Sequence, residues 1–283
     1  MAAQREAQAL DMAVRHARSP RLLRWARAPL KLARLKRMNA SKIVRARLFW
    51  GDTMLVTPPE PLSAQLFLYG FHELGMTRFM LEKVLPGMTV LDVGAHYGYY
   101  TLLAAHLVGP RGTVHAFEPA PSTAGILARN ATDRGNVMVN QVAAWHCETE
   151  LELQDFGPRR SMSNSVFAPR GWQGMGASVR VQAIALDDYV ANLGLAPGFV
   201  KIDAESAEPH VIEGLANTLR EHRPTLTLEV GDGAPDEPVS SRELLDMICE
   251  EYQYQPFEFS SGQIRPHKPR ARYECDNIVF VAK

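Results

Sequence analysis

Three stretches of the 283-residue chain carry side chains and spacings suited to chemistry. The first is Asp92-Val93-Gly94-Ala95-His96-Tyr97-Gly98. Gly94 and Gly98 permit tight turning and close approach of a ligand to backbone N–H groups. The pattern is neither Gly-x-Gly-x-x-Gly nor Gly-x-x-x-x-Gly-Lys-Ser/Thr, which disfavours a pyrophosphate or a triphosphate. An acid ahead of the first glycine repels phosphate and attracts a cation, and the methionine part of S-adenosylmethionine offers an ammonium and a sulfonium. The second stretch is Phe117-Glu118-Pro119. Glu118 follows Gly94 by 24 residues, near the roughly 20-residue offset at which an acid accepts both ribose hydroxyls of an adenosine. That offset suits a nicotinamide dinucleotide as well.

The third stretch is Val200-Lys201-Ile202-Asp203-Ala204-Glu205-Ser206-Ala207-Glu208. Lys201 and Asp203 alternate with apolar neighbours, so a strand would project them to one face. Charges on a central strand are costly unless paired or functional. Asp203, Glu205 and Glu208 form a carboxylate cluster with His210 nearby. Their spacing matches no helix-borne ligand pair, and several convergent oxygens cannot be placed, so the sequence assigns no metal site.

The elements that must position these residues follow from hydrophobic periodicity and turn signals. Strands are expected at 89–93, 113–118, 137–144, 198–203 and 224–230, with helices at 99–108, 122–134, 186–193, 209–221 and 241–252 between or after them. Ser122 is placed as a helix cap. Strands alternating with helices imply βαβ units and a mostly parallel sheet. The last two strands, 255–259 and 277–282, follow one another without a helix, so an antiparallel edge is expected. Before the first strand lie a hairpin at 46–57, turning at Gly51-Asp52, and a helix over 64–85. A β-rich insertion spans roughly 148–184. Within it Arg159, Arg160 and Ser161 to Ser165 could form a lid for an acceptor. The division is thus a basic helical extension at 1–47, a hairpin and helix at 48–86, and the cofactor-binding domain at 87–283.

Net charge is zero, but 13 Lys or Arg and only Glu6 and Asp11 fall within residues 1–48, leaving 18 basic and 29 acidic residues beyond. Leu22, Leu23, Trp25, Leu30, Leu32 and Leu35 interleave with this charge. Two readings stand for this head. It is a solvated extension packing on the body or on a second subunit, or an interfacial helix in peripheral contact with anionic membrane through residues 1–45. No RNA- or DNA-binding motif accompanies the charge, so nucleic acid is not assigned as a partner. Three cysteines without a CxxC pair, no signal-peptide core and no apolar run long enough for a membrane span make a cytoplasmic protein the expectation.

Taken in order, Asp92-x-Gly94-Ala95-x-x-Gly98-Tyr99-Tyr100, Phe117-Glu118-Pro119, Leu186-Asp187-Asp188 and Lys201-Ile202-Asp203-x-Glu205-x-x-Glu208 resemble the FkbM-type methyltransferases over about residues 65–260. The resemblance implies an α/β, Rossmann-like class I methyltransferase fold with a seven-stranded, mostly parallel sheet and an antiparallel edge strand. It implies S-adenosylmethionine as donor and transfer to oxygen, often on a sugar or polyketide, the acceptor being a small molecule or glycoconjugate. Carried onto this chain, the cofactor residues are Glu73, Asp92, Gly94, Ala95, His96, Gly98, Tyr99, Glu118, Pro119, Ala143 and Asp203. Glu229 also occupies a family position. Asp203 and Glu205 are the expected bases, with Lys201 positioning a carboxylate or the acceptor. His96 is a second-choice base, since an ordinary imidazole pKa suits the task. The family usually has Asn at the position of His96 and Gly at that of Ser206. Against this reading stand a nicotinamide-dependent oxidoreductase, disfavoured by the missing Gly-x-Gly-x-x-Gly, and a non-catalytic protein that keeps the cofactor fold.

Overall fold

The computed structural model describes residues 2–18, 42–58, 60–167, 175–232, 239–260 and 263–283. Helix α1 (Ala2–Arg18) precedes a hairpin of β1 (Val44–Arg47) and β2 (Thr53–Val56), then α2 (Pro61–Tyr69) and α3 (Leu74–Lys83). The alternating body follows as β3 (Thr89–Val93), α4 (Tyr99–Val108), β4 (Thr113–Phe117), α5 (Pro121–Ala131) and β5 (Val137–Asn140). Next come β6 (Ala143–Trp145), β7 (Thr149–Asp155), β8 (Ala177–Ala185) and α6 (Leu186–Asn192). The chain closes with β9 (Pro197–Ile202), α7 (Glu208–Glu213), α8 (Ala216–Glu221), β10 (Thr225–Val230), α9 (Ser241–Glu251), β11 (Tyr254–Ser260), β12 (Gln263–Pro266) and β13 (Asp276–Ala282).

The main sheet has the order β12-β11-β13-β10-β9-β3-β4-β5. Strands β5, β4, β3, β9 and β10 pair in parallel, and β13, β11 and β12 add antiparallel. The α/β, mostly parallel expectation holds. The strand count rises from seven to eight, because β12 folds back on β11 as a hairpin edge. Strand alternation splits the core in two. Val90, Val114, Phe199 and Val279 join α1–α4 on one face, while Leu91, Val200, Leu226, Leu228, Ile278 and Phe280 join α6–α9 on the other. Each such side chain, fully buried, contributes about 1.5–3 kcal/mol.

Several boundaries differ from the periodicity, each for a local reason. The stretch expected as one helix over 64–85 breaks between Gly70, at φ 78°, and Glu73, at φ 35°. A Cβ on Gly70 would stand 2.6 Å from the Arg47 carbonyl oxygen, so the hairpin and α2 touch there through backbone. The expected helix 209–221 is two, separated at Gly214, whose Cβ would come within 1.9 Å of the Trp145 carbonyl oxygen. The expected strand 137–144 divides, β5 completing the main sheet and β6 opening a separate three-stranded sheet of order β6-β8-β7. Helix α5 begins at Pro121, with Ala120 rather than Ser122 in the cap position. Helix α9 carries a capping box of Ser240 and Glu243.

Helix α1 packs against the body, with Leu10 and Val14 in the main core. Glu6 reaches His106 at 3.0 Å and Asp11 accepts from Arg78 at 2.5 Å. The interleaved stretch from Leu22 to Arg37 lies outside the described residues. Among the described residues, no helix is long and apolar enough to cross a membrane.

Candidate functional site

A cavity of about 590 Å³ opens at the carboxyl ends of β3, β4 and β9, where open α/β sheets bind ligands, and its size is that of a ligand pocket. Its near wall is the turn after β3. Gly94 takes φ 69°, and a Cβ there would lie 1.7 Å from the Asp203 carbonyl oxygen. The turn and the end of β9 are therefore in backbone contact, which only glycine permits. Gly98, at φ 93°, starts α4 beside Leu127. His96 stands between them at φ 50°, a left-handed conformation that Asn and His tolerate better than most residues. The same backbone would suit the Asn that the resemblance implies for that position.

Glu118 follows β4 and is buried beneath the turn. Its Oε2 accepts from the His96 N–H at 2.9 Å and its Oε1 from the Ala120 N–H at 3.0 Å. Burial pushes its carboxyl up to about 7, against these two donors. Each oxygen keeps a lone pair for a ligand hydroxyl.

At the end of β9, Lys201 is 4% exposed. Its Nζ donates to Asp203 Oδ2 at 3.2 Å and lies 3.7 Å from Asp92 Oδ1. The ring of Tyr100 sits 5.3 Å from the same ammonium. Burial disfavours the charge on Lys201, but Asp203 and Asp92 outweigh it and hold the amine protonated. Burial likewise pushes Asp203 up, yet Lys201 and a hydrogen bond from Glu229 bring it below the usual carboxylate range. Glu229, at the end of β10, is pushed up to about 10 by the Asp203 charge and then by burial, while Cys275 donates to its Oε1 at 2.8 Å. Glu205 is raised by burial and by Asp203. Asp203, Glu205 and Glu229 bring one carboxylate oxygen each within 4.8 Å of one another. Glu205 and Ser206 stand at φ 51° and 77°. The family's Gly at the second position is thus replaced by a residue held in a conformation costing roughly 1–2 kcal/mol.

Most residues singled out from the sequence meet here. Glu73, Gly94, Ala95, His96, Tyr99, Glu118, Pro119, Ala143, Lys201, Asp203 and Glu205 line the cavity. Two do not. Asp92 is buried behind the wall, accepting from Thr101 at 2.5 Å and facing Lys201; it acts on the site through that ammonium. Gly98 shapes the turn. His96, the second-choice base, does not have the ordinary imidazole pKa that suggested the role. Burial lowers its imidazole to about 3, and its Nε2 is hydrogen-bonded to Ser161 Oγ at 2.9 Å. His210 pairs with His146 at 3.2 Å rather than joining the carboxylates. The turn of Arg159 to Ser165 does line the cavity. Sequence reasoning did not reach Tyr100 as a wall residue, whose hydroxyl donates to Glu73 at 2.5 Å, nor Trp145 and Cys275. Tyr100 was within the quoted motif, but the pairing that turns it inward joins it to a residue 27 positions away.

The cavity therefore combines an excess of carboxylates, a buried acid with free lone pairs beneath a glycine turn, and apolar walls at Phe117, Ala143 and Ala144. Those features fit a cationic adenosine cofactor: carboxylates for ammonium and sulfonium, Glu118 for ribose, and apolar surface for the base.

Comparison with known proteins agrees. The model of the FkbM methyltransferase domain matches residues 92–256. Over 158 residues the chain is 30% identical to the 31-O-demethyl-FK506 methyltransferase FkbM of Streptomyces tacrolimicus, covering 46% of this chain and 60% of that protein. It is 27% identical over 136 residues to a protein-L-isoaspartate O-methyltransferase of Methanococcoides burtonii, covering 47% and 65%. Each match spans less than two thirds of the relative's length. Among solved structures, an FkbM methyltransferase from Methylobacillus flagellatus is similar at 18% identity and a TM-score of 0.44, over 69% of this chain and 43% of that one. The family model spans more than half of the chain and takes in all three motif stretches, so the chain belongs to the FkbM methyltransferase family, with S-adenosylmethionine as its cofactor.

Proposed function

We propose that this protein transfers a methyl group from S-adenosylmethionine to a hydroxyl oxygen of a small molecule or glycoconjugate, a sugar or polyketide being the favoured class. The observation that carries this reading is the ionised Asp203, fixed by Lys201 and flanked by Glu205 and Glu229, opposite the glycine turn in one cavity. Both curated relatives are named for oxygen chemistry, one as a 31-O-demethyl-FK506 methyltransferase and one as an O-methyltransferase.

Glu118 would hold the ribose hydroxyls, Glu73 and Asp203 the ammonium, and Gly94, Ala95 and His96 the backbone side of the cofactor. Pro119 and Ala143 would flank the base, and Tyr99 would close the wall behind. The cofactor, when bound, supplies an electrophilic methyl on a sulfonium. The protein's part is alignment and proton removal. Lys201 fixes the Asp203 carboxylate through a hydrogen bond of 3.2 Å, and such fixed geometry supplies much of the rate in a displacement. Asp203 keeps an unprotonated oxygen at neutral pH. A hydroxyl becomes strongly acidic as it is alkylated, so a carboxylate of depressed pKa suffices to take its proton. Glu205 is the second acceptor on the same edge. The turn of Arg159 to Ser165, tied to His96 through Ser161, would cover the acceptor.

Incubation of purified protein with methyl-labelled S-adenosylmethionine and cell extract, followed by mass spectrometry, tests the reading. The expected product carries the label on oxygen. A label found on nitrogen or carbon, or none transferred, contradicts it.

A further inference from the structure

We propose that His146, His210 and Glu213 form a binding site for a divalent transition-metal ion of the Zn2+ class, set against the outer side of the cavity wall. None of the three residues lines the cavity, and the reading of the cavity does not depend on them. His210 and Glu213 lie three positions apart on α7, so one helix face presents both. His146 comes from the segment after β6. One ligand atom from each residue falls within 4.8 Å of the others.

The distances suit a shared ion. Tetrahedral ligands at about 2.05 Å from a metal stand about 3.3 Å apart. The two Nδ1 atoms are 3.2 Å apart, and Glu213 Oε2 is 4.0 Å from His146 Nδ1. The exposed Glu213 side chain needs to close only roughly 0.7 Å to reach the ideal edge. His210 is preset by stacking on Trp145, with ring centroids 3.8 Å apart, and on Phe167 at 6.0 Å. Two imidazoles and a carboxylate are ligands of choice for this ion class, and three protein ligands leave a fourth position for water. In the neutral Nδ1–Nδ1 pair one ring carries its proton on Nδ1; offering both Nδ1 lone pairs to an ion moves that proton to Nε2 of the same ring, a tautomer shift that releases no proton.

The position gives the ion a job. Trp145 lines the cavity, and Glu208, at the start of α7, accepts from the Ala204 N–H at 2.6 Å. An ion bridging His146 to His210 and Glu213 would tie the wall to the helix that steadies the Asp203–Glu205 turn.

Zn2+ titration of the untagged full chain against a chromophoric chelator, with circular dichroism to confirm folding, is the test. The wild type is expected to bind one ion. His146→Ala should weaken binding by more than the roughly 10–100-fold seen on loss of an outer-shell partner, and Glu213→Gln should weaken it less. Co2+ bound to the wild type should show the visible bands of a tetrahedral site, absent in His146→Ala. The proposal is overturned if the wild type binds no Zn2+ at micromolar free ion. It is equally overturned if His146→Ala binds as tightly as wild type, or if the sole ion is lost in Glu205→Gln and kept in His146→Ala, which would place it among the cavity carboxylates.

Discussion

Two charge networks sit on the same sheet and differ in burial. At the carboxyl ends of the parallel strands, Lys201 is enclosed with Asp92 and Asp203 at 3.7 and 3.2 Å. On the antiparallel edge, Glu258 of β11 meets Arg265, Arg270 and His267 at 2.7, 3.1 and 2.8 Å, and Arg270 continues to Asp276. Contact lengths are alike, and His267 and Glu258 are themselves largely enclosed, yet the arginines of the edge stand in water, Arg265 leaving 64% of its side chain exposed where Lys201 leaves 5%. Exposed pairs are screened and contribute little. A buried pair costs desolvation that only good geometry offsets, and losing one partner strands the other. The buried network is thus a poor stabilising device, and its retention at the mouth of the cavity points to function.

Removing the buried ammonium should have the largest effect. Lys201→Met leaves Asp92 and Asp203 facing each other without a cation, and denaturant unfolding should show a loss of about 3–5 kcal/mol. A loss under about 1 kcal/mol would erase the distinction between the networks. Asp203→Asn keeps the shape and removes the proton acceptor. Methyl transfer should fall about 10²–10⁴-fold in kcat; an unchanged kcat would move the base to Glu205.

Glu118 sharpens the same contrast through pH. Its folded pKa of about 7 lies above its unfolded value. The fold therefore binds the extra proton, and the stability this contributes is lost as pH rises through about 7. Ligand binding runs the other way. Only the ionised carboxylate accepts from both ribose hydroxyls, so cofactor affinity should weaken about tenfold per pH unit below about 7. Titration calorimetry across that range checks it, and Glu118→Gln should remove the slope. The smallest effect belongs to the edge. Arg265→Ala should change stability by less than about 1 kcal/mol in thermal unfolding, and less still in high salt.

What the sequence disclosed divides along the same line. The glycine turn, Glu118 and the Lys201–Glu208 stretch were legible because each is a local motif at a strand end, and turn geometry is written locally. The placement of Asp92 was not. Its role depends on Lys201, more than a hundred residues on, and alternation along a strand buried on both faces does not say which carboxylate meets which cation. The split of the 64–85 helix escaped for a similar reason. Glu73 is held by Tyr100 and by Asn277, which donates to its Oε1 at 3.0 Å from 204 positions away. The neutrality of His96 is a burial effect, invisible until the turn packs. Strand β12 is short and polar, with a pattern that carries little signal. The His146–His210 pair joins residues 64 apart and shows no motif in the chain.

Calorimetric titration of wild type and Gly94→Ala with S-adenosylmethionine and S-adenosylhomocysteine asks whether the cavity beside the Gly94 turn holds the cofactor. Wild type is expected to bind both. Gly94→Ala, whose Cβ would meet the Asp203 carbonyl oxygen at 1.7 Å, is expected to bind neither. Failure of the wild type to bind either ligand at millimolar concentration, or equal binding by Gly94→Ala, would contradict that placement.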